Sequence, residues 1–390
     1  MRFIETLFSF WRKGRVRSMI YQWGLVAGIV LTVIWVVDTA STNLDRLGIK
    51  TGFEFLSIEA GFQISPALLP YTPQSTYGVA ILVTLINTIV LSLIAIVLAT
   101  LFGFFLAISR LSKNWLLRNL AVSYVEIFRN VPLLLHLFFW YFAALKLLPG
   151  KRQSINFFDV AFLNIEGFVV PVPVFESGSG IIGLSILFSI VIAGAVWVWA
   201  KRRQTNTGEQ FPKLAVAVTI VIVIPLLTLW AKGFPVTWDI PKFGRWNFEG
   251  GIALQPEFTA MLFGLTLYNT AYIGEIIRAG ILSVHKGQRE AAESIGFTQI
   301  QTYTEIVVPQ AMRLIIPPLT NQYLNLAKST SLAAAIGYPD LRWAIDGPIT
   351  TQTGQVLELQ AITLAAYLGI SLSIALLMSI YNRATRIPER

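Results

Sequence analysis

Residues 79–108 read VAILVTLINTIVLSLIAIVLATLFGFFLAI, and no charged residue occurs anywhere in 60–109. A bilayer core takes roughly 20 apolar residues in helix, so this stretch predicts one long, tilted transmembrane helix. The same reading carried outward finds seven more uncharged runs: 20–37, 130–145 with its helix starting near Asn119, 177–200, 214–231, 258–274 running on into Glu275, 314–327 running on through Lys328, and 359–382. The expected fold is all-α and polytopic, with eight transmembrane helices.

Composition agrees. The 390 residues include 30 Lys+Arg and 21 Asp+Glu, or 13% charged, against about a quarter in soluble domains. A water-facing globular surface is excluded, and so is a disordered chain. With no Cys and only His136 and His285, a disulfide scaffold, a zinc site and an iron–sulfur site are excluded as readings. The net charge of +9 is read as a membrane sorting signal, with no nucleic-acid partner expected. The run 20–37 exceeds the 7–15 residues of a signal-peptide core, so it is expected to stay as a span despite Asp38-Thr39-Ala40.

Eight spans put both termini on one side. The segments on that side, 1–19, 109–119, 201–213, 285–313 and 382–390, hold 18 Lys+Arg, and those on the other, 38–78, 149–180, 232–257 and 338–358, hold 8. Positive residues stay inside, so both termini are expected in the cytoplasm. Outside, 38–78 with Pro66, Pro70 and Pro73 is expected to be partly structured on the surface. The run 169–174 (VVPVPV) with 177–180 (SGSG) reads as extended chain rather than a strand of a sheet. Tryptophans such as Trp11, Trp23 and Trp246 read as interface anchors, and His136 as a packing residue.

One inner loop differs from the short basic ones. Residues 285–313 read HKGQREAAESIGFTQIQTYTEIVVPQAMR. The spacing predicts a helix over 288–295 stopped by Gly296, then a second stretch to Val308 ended by Pro309. Two short helices at a bend suit insertion into a cleft on a soluble partner; they also suit an amphipathic pair lying on the membrane surface. No Gly-x-x-x-x-Gly-Lys-[Ser/Thr] phosphate loop occurs: Lys328-Ser329-Thr330 ends like one but lacks both glycines. Energy from ATP would have to come from another chain.

The loop positions Glu290, Ala291, Ala292, Gly296, Ile306 and Pro309 resemble the EAA loop of bacterial ABC-importer permeases, with Val308 where Leu is usual. Tyr272-Ile273-Gly274-Glu275-Ile276-Ile277-Arg278, Val284–Gln288, Pro309–Arg313 and Lys328–Leu332 are similar to the flanking helices of polar amino acid permeases. Phe128-Arg129-Asn130-Val131-Pro132-Leu133-Leu134 resembles that family's FRGTPLL run, with Asn130-Val131 replacing Gly-Thr. The matching segments cover 78–148 and 255–382. The resemblance implies a five-helix core plus three added helices, as in the long permease of general L-amino-acid importers. The chain would divide into 1–77 (N-terminus, first span, outer loop), 78–148 (first part of the core), 149–254 (insert with two spans) and 255–390 (second part, with coupling loop 285–313). It would be a non-enzymatic half-channel in a bacterial inner membrane. Its implied partners are a second, similar permease, two cytosolic ATPase subunits that hold ATP and magnesium, and an outer amino acid-binding protein. No cofactor is expected on this chain.

Charges inside spans usually mark a pathway or a pair. Glu126 with Arg129 and Glu275 with Arg278 share the i,i+3 spacing that allows pairing on one helix face. Each pair would lock helices or act as an inner gate. Lys328, about 14 residues and some 21 Å into its helix, is followed by Ser329, Thr330 and Ser331, with Asn321 and Gln322 two turns earlier. Such a belt offers a zwitterion donors and acceptors in a wet cavity; small hydroxylated residues also serve helix packing. A secondary transporter would need acidic relays and an inverted repeat. A membrane enzyme would need a catalytic cluster. Neither pattern is seen.

Overall fold

The computed structural model describes residues 14–46, 52–175, 180–208, 211–231 and 236–385. Residues 177–179 of the outer run, Trp11, and Arg2, Arg12, Lys13, Arg386 and Arg390 of the chain ends lie outside them. Two compact units are formed: Met1–Leu134 with Gly264–Arg390, and Leu135–Phe263. The principal helices are α1 (Gly14–Arg46), α2 (Tyr77–Leu111), α3 (Trp115–Asn130), α4 (Leu133–Phe138), α5 (Gly180–Thr207), α6 (Lys213–Ala231), α7 (Pro256–Leu282), α8 (Lys286–Ser294), α9 (Val308–Ser329) and α10 (Val356–Thr385).

Among the described residues, four helices are long and apolar enough to cross a membrane: Arg17–Asn43, Tyr77–Leu111, Gly180–Gln204 and Val356–Arg383. The pair either side of residues 131–132 makes a fifth if counted as one broken span. That measure does not reach eight. Helices do occupy the remaining expected positions, but α6 is short in its apolar part, and α7 and α9 carry Glu275, Arg278, Arg313 and Lys328. Helices that face protein instead of lipid tolerate such residues.

The third expected helix is not continuous. It breaks at Val131, which is extended (φ −109°, ψ 132°), because a residue before proline is pushed out of the helical region and Pro132 follows. Pro309 does not end its helix either. It occupies the first turn of α9, where its missing N–H leaves no bond unmade. A wide π-turn over Thr302–Val307 leads into it.

The all-α expectation fails in the second unit. The connections there form β1 (Ile155–Phe157), β2 (Ala161–Asn164), β3 (Gly167–Val170), β4 (Val172–Phe175), β5 (Val236–Asp239), β6 (Lys242–Phe243), β7 (Phe248–Glu249) and β8 (Ile252–Leu254). The order β1-β2-β3-β8 makes a four-stranded sheet, antiparallel throughout. Most of the VVPVPV run, expected to be unpaired, supplies β3 and β4. Val169 and Val170 pair with Ala253 and Ile252, and β4 pairs with β5 across Val172↔Asp239 to Phe175↔Val236.

In the first unit the segment 52–76 is structured, as expected of a proline-rich outer loop. Phe55, Ala60 and Ile64 pack with Tyr77, Ala80 and Ile81 of α2 and with Leu341, Ile345, Ile349 and Leu359. Asn87 of α2 fastens two connecting segments at once, its amide donating to Pro66 O at 2.9 Å and Pro339 O at 3.0 Å. Lower down, α2 and α7 approach backbone to backbone. A Cβ on Gly103 would sit 3.1 Å from Gly274 N, and one on Gly274 would sit 3.1 Å from Gly103 O. This close crossing brings Arg110 of α2 to Glu275 of α7.

Candidate functional site

The loop between α7 and α9 is built from its sequence in three steps. His285 caps α8, its Nδ1 accepting the Gly287 N–H at 3.1 Å. Lys286 and Glu290 pair one turn apart at 3.5 Å. The helix then closes in a Schellman turn: Phe297 N–H donates to Ala292 O at 3.1 Å and Gly296 N–H to Glu293 O at 3.0 Å. That turn needs a left-handed residue, and Gly296 has φ +87°. Thr298 and Gln301 start the next turn with reciprocal capping bonds.

Of the residues expected to couple, Ala292 is buried and Ile306 half-buried, while Glu290, Ala291 and Gly296 are exposed. Pro309 lies in α9. The same loop also carries Ile295 and Ile300, 73% and 77% exposed, which the motif reading missed. Arg289 ties this knob to α7, donating to Ile281 O at 3.1 Å and lying 5.5 Å over the Tyr303 ring.

The two expected ion pairs part company. Glu275 accepts from Arg278, with Nε at 3.1 Å, and its other oxygen accepts from Arg110, a partner 165 residues away. Glu126 and Arg129 do not pair. Glu126 accepts from the Asn130 amide at 3.2 Å, while the Arg129 guanidinium lies 5.3 Å over the Tyr272 ring of α7. The i,i+3 spacing allowed a bond, but the aromatic face across the helix boundary captures the cation.

The Lys328 belt is also regrouped. Because α9 starts at Val308, Lys328 is some 30 Å along it and stands in its last turn, further along the helix than expected. It lines a cavity of about 230 Å³ with Ser331, Arg342, Thr363, Leu364 and Tyr367. Thr330 is fully buried and bonds back to Ala327 O, and Ser329 bonds to Asn325 O. Gln322 reaches α7, donating to Asn269 Oδ1 at 2.7 Å, and Asn321 is exposed. Of the belt, only Lys328 and Ser331 line the cavity. His136 is buried, as expected of a packing residue.

Behind the cavity, outside the spans, sits fully buried Asp340. It accepts Trp343 N–H at 2.7 Å and the Tyr367 hydroxyl at 3.4 Å. Burial pushes its carboxyl up to about 7 against these lowering bonds. A raised folded-state pKa binds a proton that the unfolded chain has released, so this contribution is complete below the ordinary aspartate range near 4. It is lost as pH rises to about 7. Asp340→Asn keeps an acceptor for Trp343 and is expected to abolish this slope. Thermal unfolding in detergent between pH 4 and 8 reads it; an Asn variant that loses as much stability over that range as the parent would refute the assignment.

Comparison with known proteins agrees with this geometry. Residues 201–387 match the family "Binding-protein-dependent transport system inner membrane component". A putative amino-acid ABC transporter permease of Escherichia coli, YhdX, is 45% identical over 96% of this chain and 95% of its own. The general L-amino acid transport permease AapQ of Rhizobium johnstonii is 40% identical over 96% and 94%. The glutamate/glutamine/aspartate/asparagine permease BztB of Rhodobacter capsulatus is 33% identical over 96% and 95%. Loop, crossing helices and likeness over nearly the full length converge: the chain belongs to the amino-acid ABC transporter permeases.

Proposed function

We propose that this chain is the membrane-spanning permease subunit of an importer that carries L-amino acids into the cytoplasm. It is energised by separate ATPase subunits and fed by an outer binding protein. The observation that supports the reading is the α8–Gly296 knob between α7 and α9, where Ile295 and Ile300 stand exposed; in this reading they meet the ATPase. The name of a relative that carries general L-amino acids supports the cargo class. The finer reading has eight spans with both termini and 285–313 cytosolic, supported by the 18-to-8 distribution of Lys+Arg. It has two ATPases, each holding ATP and magnesium, and a second, similar permease.

In this reading Lys328 and Ser331 take the amino acid's carboxylate. The Lys328 ammonium stands at the cavity with Arg342, whose own guanidinium is engaged by Asp346 and by Gln360 at 3.0 Å. A hydrogen bond to a charged group contributes about 1.5–3 kcal/mol, so Lys328→Met is expected to lower uptake about tenfold or more without loss of assembly. Proteoliposomes holding the whole complex test both levels. Uptake driven by an ion gradient without ATP would overturn the importer reading, and wild-type uptake by the Met variant would remove Lys328 from the path.

A further inference from the structure

The β1–β2 hairpin of the insert carries an aromatic side chain in an unusual place. Its turn is closed by Val160 N–H donating to Phe157 O at 3.0 Å. Both central residues, Phe158 (φ 56°) and Asp159 (φ 58°), are left-handed without being glycine. Asn or Asp followed by Gly is the ordinary solution at such a turn, and a bulky residue there is strained. Asn156 braces the turn, its Oδ1 accepting Asp159 N–H at 2.8 Å. The outcome is a phenyl ring that is 96% exposed, beside an exposed carboxylate. Backbone strain kept beneath a solvent-facing aromatic points to a prepared contact rather than to packing.

Strand register says which end of the sheet bears it. Ile155, Leu163, Phe168 and Leu254 form one cross-strand row. Leu254 directly precedes α7, which begins at Pro256, so this row and the β2–β3 turn at Ile165 and Glu166 mark the end of the sheet nearest that helix. The Phe158 tip lies at the opposite end, about 10 Å further along the strands at some 3.3 Å per residue. A ring that anchored the sheet in lipid would be expected at the helix end.

We propose that Phe158, with Asp159 beside it, is a docking element for the outer binding protein. The ring enters an apolar pocket on that protein, and a cation at the pocket rim meets the Asp159 carboxylate. The occupant follows from three observations: the family depends on a binding protein, the tip stands at the sheet end away from α7, and its charge is negative. The proposal rests on the importer reading.

The whole complex in proteoliposomes is titrated with amino acid-loaded binding protein, and the half-saturating concentration for uptake is read. Phe158→Asn removes the ring while supplying a residue that favours the left-handed turn, so the hairpin is retained. A buried aromatic anchor is a hot spot, and the half-saturating concentration is expected to rise about tenfold. Ile165→Asn, at the other turn of the same sheet, is expected to leave it unchanged. An unchanged value for Phe158→Asn, or an equal shift for Ile165→Asn, overturns the docking role. A Phe158→Cys variant carrying a fluorescent label, in a chain without other cysteines, decides against lipid: quenching by nitroxide lipids in the absence of binding protein overturns the proposal. A parent complex whose uptake does not respond to binding protein at all sinks the importer reading instead.

Discussion

Uptake is expected to fall about a hundredfold when Gly296 becomes Asp, although the permease still inserts and assembles. The chain itself barely resists the change. A Cβ at Gly296 would meet nothing within 4 Å, and Asp is among the residues that tolerate a left-handed backbone, so the folding penalty is about 1 kcal/mol. The larger effect arises in the partner's cleft. There the bend between α8 and the Thr298 cap must approach closely, and a new carboxylate would lose its water without gaining a partner, at about 1–3 kcal/mol or more. That cost in the cleft alone reaches the roughly 2.7 kcal/mol that a hundredfold loss requires. Gly296→Asn has the same backbone preference without the charge and is expected to lose far less. ATP hydrolysis and uptake measured side by side in vesicles check this: hydrolysis without transport is the expected result for Asp. Normal transport at normal ATPase recruitment would remove Gly296 from the coupling surface.

What could be read in the chain, and what could not, follows from the range of the interactions. Uncharged runs are local, so every long helix lies where hydropathy put it, α2 most plainly. Gly296 was readable because one residue type satisfies a positive φ at a helix end. Prolines were misread where their position within the turn mattered. Pro309 opens α9 instead of ending a helix, while Pro132, inside an uncharged run, breaks it. The strands of the insert are two to four residues long. The register between β3 and β8 joins residues more than 80 positions apart, with α5 and α6 between them. No alternation that short distinguishes them from loop, and VVPVPV carries two prolines that argue against a sheet. Pairing was harder still: an i,i+3 spacing was present twice, and a third residue on another helix decided each case. Tyr272 drew Arg129 away from Glu126, and Arg110 joined Glu275.

That third residue sets the other large effect. Glu275 accepts from two guanidiniums, and the three side chains are 15% (Arg110), 22% (Glu275) and 26% (Arg278) exposed. Glu275 stands seven residues before the end of α7, some 10 Å along it, and Arg110 is in the last turn of α2. The cluster therefore clamps these two helices just below the Gly103–Gly274 crossing. Glu275→Gln leaves two cations facing each other with only a neutral acceptor between them. Removing one partner from a buried ion pair costs about 3–5 kcal/mol, less here in proportion to the remaining exposure. A clear fall in the thermal midpoint of the purified permease is expected. Adding Arg110→Met removes the uncompensated charge, so the double variant should recover most of the loss, a coupling that a double-mutant cycle isolates. If the clamp also opens during transport, Glu275→Gln raises ATP hydrolysis in the absence of binding protein, whereas a purely structural clamp lowers stability alone. A Gln variant with the parent's midpoint and the parent's basal hydrolysis would show that the cluster neither holds α2 to α7 nor gates the path between them.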